Sequence, residues 1–190
     1  MKKTILTEKD YNLFYKLIIY GNIDKPLLSC INLAYRDVCR TITGFSKYLN
    51  HDSVYKNAVD ILNLNIEKLL KLNISSQIMF DEWHKNLCDD LILCFEKQPF
   101  SYGQAQKWIN MTLKYVSMME HKKVVNIYEF FHVPIDNYII IATDYKFDKA
   151  WSRINNYDCY NIFQKWFRDN YKGIPLDVEF KMWLTANKKI

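Results

Sequence analysis

Apolar residues recur along most of this chain at the spacing that lines one face of an α-helix. Thr7 can cap a first helix whose apolar face carries Tyr11, Phe14, Leu17 and Ile18. A break at 21–26 ends it. Asp24 followed by Pro26 then opens a second helix through Leu27, Leu28, Ile31, Ala34, Tyr35 and Val38. Asp52 or Ser53 can cap a third, with Val54, Ala58, Ile61, Leu62 and Ile66 inward, and a fourth runs from about Ser76 to Phe95.

Pro99 stops the chain, and Ser101 with Gln104 three positions on forms a capping box ahead of a fifth helix. Its apolar stripe is Ala105, Trp108, Ile109, Thr112, Leu113 and Val116, while Lys107 lies on a separate strip with Asn110, Met111 and Lys114. That strip could face a cleft or water. A charged turn at 120–123 follows, and Val124 to Phe131 reads as either a strand or a helical turn. Pro134 forces an extended approach to Asp136, which can cap a helix from Asn137 to Thr143. Two more helices are predicted, Tyr157 to Asn170 and Asp177 to Lys188, separated by Gly173, Ile174 and Pro175. The pattern predicts an all-α chain without β-hairpins, repeats or a low-complexity linker.

Composition narrows this picture. At 190 residues the chain suits one domain, with an N-terminal lobe over about 1–98 and a second region over about 99–190. Hydrophobic content of 49% excludes a disordered chain, and 4 Gly with 4 Pro leave little material for tight turns. A net charge of +5 is a mild excess, compatible with a polyanion without requiring one. Only Arg36, Arg40, Arg153 and Arg168 are arginines, so lysine point charges dominate and suit backbone contact better than base reading. The cysteines form an odd set without Cys-x-x-Cys spacing, which speaks against a disulfide framework or zinc ribbon. No apolar run reaches the length of a membrane span. A soluble, unprocessed, cytoplasmic protein is expected.

The candidate chemistry lies in two settings, Ser-Tyr-Gly-Gln-Ala-Gln-Lys at 101–107 and His-Val-Pro-Ile-Asp at 132–136. A lysine amine that has shed its proton can attack the sugar carbon bearing a nucleobase, and a neighbouring carboxylate can hold the positive charge that develops there. Lys107 and Asp136 are the candidates for these roles, with Lys114 as a nearby cation.

Gly103 to Lys107, followed after a long gap by Val133-Pro-Ile-Asp136, resembles the helix-hairpin-helix DNA glycosylases and AP lyases. The length of the gap is most similar to the archaeal 8-oxoguanine DNA glycosylase branch. Pro175 to Trp183 also resembles that branch's C-terminal helix, where an acidic residue and a tryptophan stand one turn apart, as Glu179 and Trp183 do here. The resemblance covers roughly the C-terminal half. It implies two helical lobes around a cleft, Lys107 as Schiff-base nucleophile and Asp136 as its electrostatic partner. It also implies Met111, Pro134, Glu179 and Trp183 around the base, and Gly103, Gln104, Gln106 and Lys114 on the DNA. The implied partner is DNA carrying a damaged or modified base, such as an oxidised purine, with no cofactor and no metal. The chain departs from the family twice: Gly103 stands alone where the hairpin has paired glycines, and Met111 replaces an aromatic platform.

Plainer readings stand beside these. A lone lysine is most often a solvated helix residue, and an aspartate before a helix most often only a cap. His84 and Cys88 share a helix face without a completing pair of metal ligands, and His132 reads as a loop-packing residue. Trp108, Met111, Tyr115 and Met118 read mainly as core, as does the group Trp151, Trp166, Phe167 and Tyr171. The alternative function is a non-catalytic helical protein of the same fold that binds a partner protein, a nucleotide or DNA.

Overall fold

The computed structural model describes residues 7–95 and 99–187, and these form α-helices and short 3-10 turns with no strand among them. The helices are α1 (Glu8–Tyr20), α2 (Pro26–Val38), α3 (His51–Leu69), α4 (Gln77–Cys94), α5 (Tyr102–Val124), α6 (Asn137–Ala142), α7 (Tyr157–Asn170) and α8 (Pro175–Asn187). The 3-10 turns cover Cys39–Thr41, Phe45–Lys47, Tyr128–Phe130 and Trp151–Arg153. The all-α expectation holds, and no helix among the described residues is long and apolar enough to cross a membrane.

Side-chain caps account for most of the helix starts. Thr7 and Asp10 form a reciprocal box on α1, and Ser76, Asp136 and Asn156 accept backbone N–H groups at the starts of α4, α6 and α7. The third helix differs from expectation. It begins at His51 after Asn50 with no side-chain cap, because Ser53 sits inside the first turn and donates back to the Asn50 carbonyl at 2.9 Å. The charged turn expected at 120–123 is a kink inside α5, where Glu120 alone leaves helical geometry (φ −139°, ψ 52°). Val124 to Phe131 therefore resolves as the end of α5 and a 3-10 turn rather than a strand. The predicted end of the last helix at Lys188 lies outside the described residues.

Helix α5 is the axis of the molecule. It packs most extensively on α2 and is flanked by α4, α7 and the Trp151–Arg153 turn. Its predicted stripe is buried throughout, and Trp108, which has no exposed surface, donates its indole N–H to the Ile31 carbonyl at 3.0 Å. One hydrophobic cluster runs from Tyr20 to Leu176, so the two halves of the chain share a core. Met118, expected in that core, is instead exposed.

The apolar face predicted for α1 does not turn inward. Tyr11, Phe14, Leu17 and Ile18 are all exposed, Phe14 by 59% and Ile18 by 65%, and Tyr20 is the helix's one buried residue. The helix is tethered through its polar atoms: Lys16 Nζ donates to the Met119 carbonyl at 3.2 Å and Tyr20 Oη to the Tyr115 carbonyl at 3.5 Å.

Candidate functional site

The start of α5 is held from several directions. Ser101 accepts from the Gln104 N–H at 3.1 Å while Gln104 Oε1 accepts from the Ser101 N–H at 2.9 Å, completing the predicted capping box. Gln104 Nε2 also donates to the Thr41 carbonyl at 2.7 Å, and Ser101 Oγ donates to the Ser152 carbonyl at 2.7 Å. Gly103 lies against the Trp151–Arg153 turn so closely that a Cβ there would fall 1.9 Å from the Trp151 carbonyl oxygen. Its own N–H donates to the Ile154 carbonyl at 3.0 Å. This glycine serves close packing of two backbones.

One turn further in, Gln106 pairs its side-chain amide with the backbone of Ile135. Oε1 accepts from the Ile135 N–H at 3.1 Å and Nε2 donates to the Ile135 carbonyl at 2.9 Å. Gln164 on α7 does the same to Val133, accepting its N–H at 3.0 Å and donating to its carbonyl at 2.8 Å. Arg168 donates to the Phe130 and Phe131 carbonyls. Between the two clamped residues Pro134, which is buried, has no N–H to satisfy. Two glutamines thus satisfy an extended segment that has no neighbouring strand.

That segment delivers Asp136 to the start of α6. Its Oδ1 accepts from the Ile139 N–H at 3.0 Å, and its Oδ2 accepts from Lys107 Nζ. Capping and ion pairing therefore use different oxygens of one carboxylate. The side chain of Lys107 is 6% exposed and that of Asp136 28%, so the pair is reached from the carboxylate side. A cleft of about 350 Å³ opens there, walled by Asp37, Arg40, Thr41, Lys107, Asp136, Asn137 and Trp151. Its size falls within the range of small-molecule sites.

The second lysine of the strip is closed off. Lys114 Nζ lies 2.7 Å from Oε1 and 2.6 Å from Oε2 of Glu179 on α8, and 4.5 Å from the centre of the Phe180 ring. Both partners are buried. Burial pushes the Glu179 carboxyl above its ordinary range, and the Lys114 charge pulls the other way.

Behind Lys107 a buried polar network joins α4, α5 and α7. Asn110 Nδ2 donates to Tyr160 Oη at 2.9 Å and to Gln106 Oε1 at 3.0 Å. Tyr160 Oη lies 2.7 Å from His132 Nδ1, and His132 Nε2 lies 2.9 Å from Asp81 Oδ1. With Asn110 supplying a proton to Tyr160, the phenol donates to His132, whose Nε2–H is then directed at Asp81. His84 Nε2 donates to Asn110 Oδ1 at 3.0 Å. Burial, aided by the neighbouring His132, lowers the His84 pKa well below its ordinary value; burial also lowers that of His132 against the pull of Asp81. Burial works against ionised Asp81, yet the hydrogen bond from His132, helped by that from Gln77 and by the Arg168 charge, holds its carboxyl below the usual range.

The sequence-derived candidates thus separate. Lys107 and Asp136 meet. Gly103, Gln104, Gln106 and Lys114, expected on DNA, are buried and spend their polar groups inside the protein. Met111 and Pro134 are buried away from the cleft wall, and Glu179 turns to Lys114. Trp183 is 46% exposed on α8, where its carbonyl accepts from Tyr138 Oη at 2.9 Å, so the expected shared face of Glu179 and Trp183 is divided between interior and surface. Sequence reasoning missed the opposite wall, Asp37, Arg40 and Thr41, and read Trp151 first as packing, with base stacking as the lesser option. The scarcity of arginine was the available signal for Arg40. Comparison with protein-family models, curated proteins and solved structures finds no match.

Proposed function

We propose that this protein is a DNA glycosylase with AP lyase activity, acting on a damaged or modified base such as an oxidised purine. The observation that carries the reading is the convergence of Lys107 and Asp136 on one open cleft. The resemblance of both flanking segments to the helix-hairpin-helix glycosylases supports it further.

In this reading a flipped nucleotide enters beside the pair, at an extrusion cost of a few kcal/mol that contacts in the site offset. Lys107 gives up a proton, with Asp136 Oδ2 as the adjacent acceptor, and its amine attacks the sugar C1′. The N-glycosidic bond breaks, its electron pair leaves with the base, and the base takes up a proton. That proton passes from Asp136 to the departing base, and the carboxylate so restored stabilises the positive charge on the sugar as it develops. Opening of the sugar ring gives an iminium between Lys107 and C1′. Loss of a C2′ proton then expels the 3′ phosphate, and water releases the lysine. The chemistry draws on no diffusible cofactor.

Borohydride tests this directly, because it reduces the iminium to a stable amine. The expected result is a covalent protein–DNA adduct on base-modified or abasic DNA that disappears in Lys107→Gln. No adduct across a broad lesion panel, or an equal adduct from Lys107→Gln, overturns the catalytic reading.

A second reading, a non-catalytic helical protein that binds a partner protein, a nucleotide or DNA, has one observation in its favour. Every residue expected to touch DNA at the start of α5 is already engaged internally. This protein would bind its ligand and never trap.

A further inference from the structure

The Lys107 cleft is the first of three hollows in a row. The second, of about 550 Å³, shares Thr41 with the cleft; the third, of about 320 Å³, shares Arg153 and Asn155 with the second. The Trp151–Arg153 turn forms their common rim. Trp151 lines the cleft, Ser152 the middle hollow, and Arg153 both the middle and the last.

The exposed charge along this rim is mostly positive. Arg40 stands on the cleft, Arg153 between the second and third hollows, and Lys146 and Lys149 on the third; none of them is in an ion pair among the described residues. The nearby acids are mostly engaged. Asp136 holds Lys107, Asp37 accepts from Tyr115 Oη at 2.7 Å, and Asp148 is the remaining carboxylate on the three walls. Two of the chain's arginines stand on this run although its overall charge excess is mild.

The lysines are presented by an anchored loop. Tyr145 and Phe147 pack their rings on Phe163 at centroid distances of 5.1 and 5.3 Å, and Tyr145 also meets Trp166 at 4.9 Å. Those aromatics pack toward α7, which leaves Lys146 and Lys149 exposed on the loop together with Asp144 and Asp148. Cations converging on one point would suit a single phosphate. Cations spaced along successive hollows suit an anion that repeats.

We infer that this run is a backbone track: a nucleic-acid strand leaves the Lys107 cleft past Thr41, follows the Trp151–Arg153 rim, and lays its phosphates against Arg153, Lys149 and Lys146. The inference rests on the glycosylase reading for the nature of the strand, and it places the contacts on a surface absent from the hairpin residues named by resemblance.

The test measures retention of an abasic oligonucleotide against salt for the full chain, for Lys146→Ala/Lys149→Ala/Arg153→Ala, and for a control triple, Lys9→Ala/Lys56→Ala/Lys68→Ala. Both triples remove the same charge from exposed positions, and thermal unfolding verifies that each is folded. Every lost phosphate contact flattens the log–log salt slope by ~0.7 for a single strand or ~0.9 for a duplex, so the track triple is expected to lose about two to three units of slope. The control triple is expected to keep the parental slope. Parental binding with equal slopes in the two triples overturns the track and leaves the glycosylase reading standing. Absence of both binding and borohydride trapping by the parent overturns that reading and the track with it.

Discussion

Two lysines on one helix face, two turns apart, meet opposite fates. Lys107 pairs with a carboxylate that still reaches solvent through a cleft, whereas Lys114 pairs with a carboxylate sealed beneath α8. Both ammonium groups lie in the interior, so burial alone does not distinguish the lysine that borders a cleft from the one that is sealed in. The difference lies in the partner. Asp136 sits on a loop that approaches from outside the helix packing, and Glu179 sits on a helix that covers the strip. In the proposed reaction the carboxylate open on one side admits a substrate beside its lysine, whereas the one enclosed on all sides holds its lysine in place.

The largest effect that would sharpen this contrast is on chemistry. Lys107→Gln is expected to reduce the borohydride-trapped yield by ~10⁴-fold or more, while Lys114→Gln retains a measurable adduct. Equal losses in the two variants, each shown to be folded, would erase the distinction between the two ends.

Stability should invert the ranking. Glu179→Ala strands Lys114 in the interior and is expected to cost ~3–5 kcal/mol in denaturant unfolding, while Lys114→Met with Glu179→Leu recovers much of that loss because it removes both charges together. A small effect of Glu179→Ala would mean that water reaches Lys114.

Gln106→Ala probes how the open end is built. It removes both partners of Ile135 and is expected to cost ~1–3 kcal/mol. It should also lower trapping by more than a core change of equal cost elsewhere, because Asp136 follows Ile135 directly. Trapping at the parental level in this variant would show that Asp136 is placed by α6 alone.

The smallest effect per step is on pH. His84 and His132 are held neutral in the fold, with pKa values depressed by burial below the ordinary 6.5. Below that value the unfolded chain takes up protons that the folded one refuses, so stability is present at neutral pH and falls on acidification. The expected slope approaches ~1.4 kcal/mol per pH unit for His84, whose pKa is lowered furthest, and is shallower for His132, which Asp81 pulls back; His132→Asn should remove that smaller part. Glu179 works in the opposite sense. Its raised pKa means that ionising it in the fold costs stability as pH climbs through and above the ordinary carboxylate range.

Much of the helix map was legible from local patterns. The Ser101–Gln104 box, the Asp136 cap and the α7 limits came out as read, because each depends on groups within about one turn of each other. The meeting of Lys107 with Asp136 was legible only through resemblance, since nothing between them in the chain sets a distance. The clamping role of Gln106 was hidden. A glutamine on a helix face reads as solvated until an extended backbone segment lies beside it.

The exposed apolar face of α1 and the buried polar strip of α5 are the same lesson from opposite sides. Periodicity marks which residues share a face, and caps mark where helices start, because both follow from contacts between near neighbours in the chain. Whether a face meets core, cleft or water depends on which distant elements pack across it. The chain's own pattern therefore established an all-helical architecture and put Lys107 on a definable strip. The arrangement of α2, α6, α7 and α8 around α5 settled that Lys107 would border an open cleft and Lys114 a closed one, since desolvation and ion pairing are set by neighbours that the local sequence does not contain.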